Sequence, residues 1–327
     1  MRRVVTRVGQ YALVLWAAAT LNFALPHLAP GDPVQYLFSG DANALSGQAR
    51  EALRAEYGID GPLVEQYLGY WTGVATGDLG ASLRHNRPVT DVLLERLPWT
   101  LALVGMATVL SAVLGTLAGV TAAWRRGGRR DVGLVSGLLV VDAMPGFWIG
   151  MLLIAVFAVE LGWLPSFGAV PLTATDGGLV WVGEVTRRLV LPVATITLAT
   201  LGSTFLLARA SMLATLDQPY ILLAEAKGAP PRTIAYRHAL RNALLPVTTN
   251  VMLGLGVLLS GAVVVETVFS YPGLGRLIYE AVIARDYPLL QGAFLLVTVG
   301  VVAANALADA VYPVLDPRVR RTAREAR

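Results

Sequence analysis

The 327-residue chain has no cysteine and only three histidines. The first absence excludes disulfide scaffolds, thiolate metal sites, iron–sulfur clusters and cysteine nucleophiles. The second leaves His27, His85 and His238 too scattered to build a metal site by themselves. No histidine is centrally placed in a long apolar window, so an intramembrane Ser-His-Asp triad lacks its base. Lysine is nearly missing as well, Lys227 being the only one among 26 basic residues. No Gly-Lys-Ser or Gly-Lys-Thr triplet can therefore exist, and the chain has no P-loop for hydrolysing ATP itself. Charge of either sign is scarce: 15% of residues are charged and 55% hydrophobic, against about 25% charged in a soluble domain. Such a composition is at odds with a soluble globule.

A bilayer core needs about 20 apolar residues in helical form. Five windows meet that need without a charge: 8–31, 97–124, 189–208, 242–265 and 287–308. A sixth, 132–159, is interrupted only by Asp142. The expected fold class is thus an all-α polytopic membrane protein with six transmembrane helices. A cleaved signal peptide shares the charge order of the N-terminus, but the run is long and no small-x-small site ends it, so it reads as a first span.

The flanks orient these spans, because Arg and Lys accumulate on the cytoplasmic side. One side carries 16 basic residues: Arg2, Arg3 and Arg7, the link 125–130, the link from Lys227 to Arg241, and the tail from Arg318. The other carries 9, and both termini are expected in the cytoplasm. The pair Arg187 and Arg188 runs against the rule.

The chain divides accordingly into 1–31, the N-terminus and first span; 32–95, extracytoplasmic; 96–315, a five-helix core; and 316–327, a cytoplasmic tail. Within 32–95, apolar residues at helical spacing (Ala52, Leu53, Tyr57, then Leu63, Tyr67, Leu68, Trp71) flank Gly58-Ile59-Asp60-Gly61-Pro62. Two short amphipathic helices with a turn between them are expected. Within 216–241, Gly228-Ala229-Pro230-Pro231 splits a helix-permissive segment into helix, sharp break and helix. A short helix ended by glycine offers a soluble partner a knob to clasp; on the residues alone a solvated loop with a helix stop is the plainer reading.

Polar residues inside spans cost several kcal/mol unless they face water or a bundle interior. Asp142, Arg209, Glu266 and Asn305 are therefore transport-path candidates. Glu266 and Asp309 sit at span ends, where simple wetting is the plainer expectation. Asp142, ten residues into its window, is not so easily excused, and Arg209 is its possible ionic partner. Gly254-Leu255-Gly256 lies in a span and suits close helix packing.

Several short motifs recur in order along the chain: Gly31-Asp32-Pro33-Val34, Gly77-Asp78-Leu79-Gly80-x-Ser82, Arg96-Leu97-Pro98-x-Thr100-Leu101, Pro145-x-Phe147-Trp148, Ala224-Glu225-Ala226-Lys227-Gly228, Arg237-His238-Ala239-Leu240-Arg241-Asn242, Glu266-x-x-Phe269-x-x-Pro272-Gly273-Leu274-Gly275, Arg285-Asp286-Tyr287-Pro288 and Asp316-Pro317-Arg318. Together they resemble the dipeptide and oligopeptide (peptide/nickel) permeases of bacterial ABC importers. The resemblance implies a permease subunit in the bacterial cytoplasmic membrane, lining half of a translocation path and performing no covalent chemistry. It implies as partners a second homologous permease, two ATPase subunits, an extracytoplasmic substrate-binding protein and the lipid bilayer, with no nucleic acid. The chain itself would hold no cofactor and no metal; ATP and magnesium would sit on the ATPases. Ala224, Glu225, Ala226, Lys227, Gly228, Arg237, His238 and Asn242 would form the ATPase-coupling loop. Nickel, glutathione or opine cargo within the same family remains open, and a stand-alone secondary transporter is the competing class. That class calls for paired broken helices in two repeats and several intramembrane charges.

Overall fold

A computed structural model of the chain describes residues 2–28, 61–169 and 178–315. Its long elements are helices: α1 (Arg2–Leu28), α2 (Leu63–Thr76), α3 (Val89–Trp124), α4 (Arg129–Asp142), α5 (Gly146–Leu153, continued in π geometry over Ile154–Glu160), α6 (Leu179–Leu216), α7 (Pro219–Ala226), α8 (Pro231–Thr233, continued in π geometry over Ile234–Ala239), α9 (Leu240–Val268), α10 (Leu274–Ala284) and α11 (Tyr287–Leu315). Among the described residues the only sheet is a two-stranded antiparallel hairpin, β1 (Ala81–Ser82) and β2 (Arg87–Pro88).

Three helices among the described residues are long and apolar enough to cross a membrane: Val89–Trp124, Leu179–Leu216 and Tyr287–Ala310. The 132–159 window is not one straight span. It is bent by 98° between α4 and α5, because Pro145 lacks an N–H and disfavours helical geometry at Met144 before it. The expected six is reached only by counting that bent pair as one span and adding α1 and α9, which lie on the two remaining windows. Of the two outer helices expected, the second is α2; the first, around Ala52, Leu53 and Tyr57, lies outside the described residues, as do Gly31-Asp32-Pro33-Val34, Asp316-Pro317-Arg318 and the tail 316–327.

The chain forms two units, and α3 and α11 contribute a segment to each. The first, 1–100 with 272–302, is organised by Asp286, which is 1% exposed. One carboxylate oxygen accepts from the Ser82 hydroxyl at 2.6 Å and the Arg84 N–H at 3.1 Å; the other accepts from the Leu289 N–H at 3.2 Å, capping α11. Thr100, fully buried, accepts the Leu274 N–H at 2.8 Å and so ties the start of α10 to α3. Beneath these bonds pack Val89, Val92, Leu93, Leu274, Leu277, Ala281, Leu289 and Ala293. A side chain at Gly292 would meet Val89 at 2.5 Å, so glycine sets how closely α11 approaches α3 here. The aromatic face of α2 lies on α1: Phe23 meets Tyr67 edge-on at 5.3 Å, and the Thr20 and Tyr67 hydroxyls bond at 2.8 Å.

The second unit, 101–271 with 303–327, is built around α6. At its 38 residues this helix is about 57 Å long, well beyond the hydrocarbon thickness. It packs on α3 with near backbone contact: Cβ atoms at Gly115 and Gly119 would come within 2.9 Å and 2.8 Å of Thr204 and Ala208. The structure also accounts for Arg187 and Arg188. Both lie within 4 Å of Glu184, at 3.6 Å and 3.9 Å, and donate to the carbonyls of Trp163 and Phe167 at 2.8 Å and 3.0 Å. Their charges are spent on holding the segment after α5.

Candidate coupling element and transport path

The segment from Pro219 to Asn242 folds as the spacing predicted, a short helix, a break and a second helix. Pro219 opens α7 at a position where a missing N–H costs nothing. Its end is a Schellman turn: the Ala229 N–H donates to the Ala224 carbonyl at 3.1 Å and the Gly228 N–H to the Glu225 carbonyl at 2.9 Å. Gly228 sits at φ +75°, the left-handed conformation glycine adopts without penalty. Pro230 and Pro231 then start the second helix, which runs through π geometry at Ile234–Ala239 into α9.

Ile221, Ile234, Ala235, Ala239 and Ala243 bury themselves against Val120 and Ala123 of α3 and Met212 of α6. The element is thereby seated on the C-terminal ends of two long helices. Ala224 is half-buried in that seat; Glu225, Ala226, Lys227, Gly228 and Arg237 are exposed and His238 partly so. Leu222, Leu223 and Tyr236 are 61%, 56% and 50% exposed, an outward apolar face beside the Glu225 carboxylate. Asn242 differs from the rest, because its amide donates to the Tyr220 hydroxyl at 2.7 Å and braces α7. Ser211 likewise donates to the Ala243 carbonyl at 2.8 Å. Tyr220 and Ser211 were not expected from the sequence, where a hydroxyl on an apolar helix carries no sign of its partner.

The four path candidates are not brought to one point. Asp142 is the last residue of α4, exposed at the bend, and packs on Gly202 so closely that a Cβ there would lie 2.5 Å from its carboxylate. Beside the bend lies a largely apolar cavity of about 250 Å³ lined by Gly146, Phe147, Ile196, Ala199, Thr200 and Val265 among others. Arg209 does not serve Asp142. Seven residues past Gly202, about 10 Å along α6, its forked N–H groups both engage Asp131 at 2.7 Å. Glu266 is not wetted but fully buried. Next to it the Tyr271 phenol, also fully buried, is pushed above its usual range by desolvation and by the Glu266 charge. Asn305 and Asp309 are half-buried on α11.

Residues 1–104 match the family described as binding-protein-dependent transport system membrane component, N-terminal, and residues 115–321 that described as binding-protein-dependent transport system inner membrane component. The chain belongs to this permease family. The permease is 39% identical over 318 residues to a peptide transport system permease, provisionally so named, of Brucella abortus strain 2308, with 97% of this chain and 98% of the relative covered. It is 36% identical over 337 residues to the dipeptide transport system permease protein DppB of Escherichia coli K12, again covering 97% and 98%. In fold it is similar to the MetNI methionine ABC transporter solved in inward-facing conformations: the TM-score is 0.57 at 17% identity, over 69% of this permease and 96% of that chain.

Proposed function

We propose that this permease carries di- or oligopeptides across the bacterial cytoplasmic membrane, as half of a path shared with a second homologous permease and driven by two ATPase subunits. The observation that carries the reading is the seating of α7. Its inner face is packed on α3 and α6, while Leu222, Leu223 and Glu225 are turned outward. An element so placed receives a push from a soluble partner and delivers it to long helices. The named relatives support peptide cargo, and an extracytoplasmic binding protein would hand that cargo over. The chain has no P-loop, so hydrolysis belongs to the ATPases. Both termini and residues 216–241 are assigned to the cytoplasm on the charge asymmetry of the flanks.

Co-purification tests this directly. In mild detergent the tagged permease should bring down an ATPase subunit, and Glu225→Arg should weaken that association. A stand-alone secondary transporter retains none. Within the path, Asp142, exposed at the bend, is read as the carboxylate that meets the ammonium end of a peptide.

A further inference from the structure

The ion pair between Asp131 and Arg209 lies outside the coupling residues named above and joins three segments of the inner end. The Asp131 side chain is 5% exposed and that of Arg209 27%. Both carboxylate oxygens are taken by the guanidinium fork at 2.7 Å, and one also accepts the Gly127 N–H at 2.9 Å. Gly127 lies at φ +76° in the turn that joins α3 to α4. A single carboxylate therefore folds this turn back onto the start of α4 and pins it to α6. A more exposed contact, Arg126 with Asp217 at 3.7 Å, runs from the same turn to the residue after α6, two residues before α7 begins.

The surroundings explain what the pair adds. Helices α3 and α6 are already locked where Gly119 meets Ala208 and the Arg209 backbone, and Ile221 of α7 is wedged against their ends. Helix α4 packs on α6 at its far end, where Asp142 meets Gly202 beside the 98° bend, and at its start Asp131 ties it to this block. A bidentate carboxylate–guanidinium pair fixes direction as well as distance, which a flexible turn cannot do.

We propose that Asp131 and Arg209 are a positioning pair that makes the inner ends of α3, α4 and α6 move as one body when the coupling element is pushed, so that its loss separates ATP hydrolysis from uptake. The inference rests on the importer reading given above. The test uses the complete transporter, permeases and ATPases together with the binding protein, reconstituted in liposomes and supplied with labelled dialanine. Uptake per ATP hydrolysed is the readout. In Asp131→Asn and Arg209→Gln the complex should still assemble and hydrolyse ATP, with uptake per ATP lowered about tenfold, within the usual range of coupling between two sites. Asp131→Glu, which keeps the charge, should retain most of the ratio.

An unchanged ratio in the two neutral variants would overturn the inference. So would a loss in Asp131→Glu as deep as in Asp131→Asn, since charge pairing would then not be what matters. Failure of all three variants to assemble would make the pair a folding contact and overturn it equally. The importer reading fails separately, in a wild-type complex that retains no ATPase and takes up no peptide; the inference would fall with it.

Discussion

At the scale of single residues, Gly228 and Asp142 make opposite demands on their surroundings. Gly228 needs a backbone conformation that a β-branched residue reaches only at a cost of about 1–3 kcal/mol. Gly228→Val should therefore leave insertion into the membrane intact and lower peptide uptake, as measured by transport in cells with the protein level followed by immunoblot. Asp142 needs an absence next to it, the missing side chain of Gly202. Asp142→Asn keeps the shape and deletes the charge; uptake of zwitterionic peptides should fall while co-elution with the partner permease stays normal. Full uptake in that variant would remove the carboxylate from the path. The left-handed glycine was legible in the sequence because Gly-Ala-Pro-Pro is a local signal. Arg209 was not, because its partner lies 78 residues away and only the α4–α6 packing reveals it. Glu266 was misread for a related reason: proximity to a helix end suggests water, whereas burial is decided by neighbours remote in the chain.

At the scale of elements, motifs widely separated in sequence become one contact. Ser82 from the Gly77–Ser82 motif and Asp286 from the Arg285–Pro288 motif meet at 2.6 Å, and Thr100 meets Leu274 at 2.8 Å. Removing Asp286 strips α11 of its cap and leaves a buried hydroxyl and two N–H groups short of an acceptor. Asp286→Ala should cost about 2–4 kcal/mol, combining a lost cap with unpaired buried groups. Thermal unfolding in detergent would register this as a lower midpoint, and Ser82→Ala should register a smaller drop. The existence of α2, α3, α6 and α11 followed from apolar windows and stop signals. The bend before Pro145 did not, because a window count treats an apolar run interrupted by a single Asp142 as one rod.

For the molecule as a whole, the lack of native cysteine makes topology open to measurement. Single cysteines at Gly61 and Ala229 should react with an impermeant maleimide from opposite faces of the membrane, Gly61 from outside. Labelling of both from outside would reverse the assigned orientation. The one pair that runs against the charge count, Arg187 and Arg188, is held by carbonyls and by Glu184.

The length of α6 has a mechanical consequence. At about 57 Å, with Pro192 inside it, α6 exceeds a hydrocarbon layer of about 30 Å by nearly half its length. Tilting it by about 5° about its middle displaces each tip by about 2.5 Å, in opposite directions. In the importer proposed above, a push at the Met212 end would therefore reach the opposite end of α6 with its direction reversed.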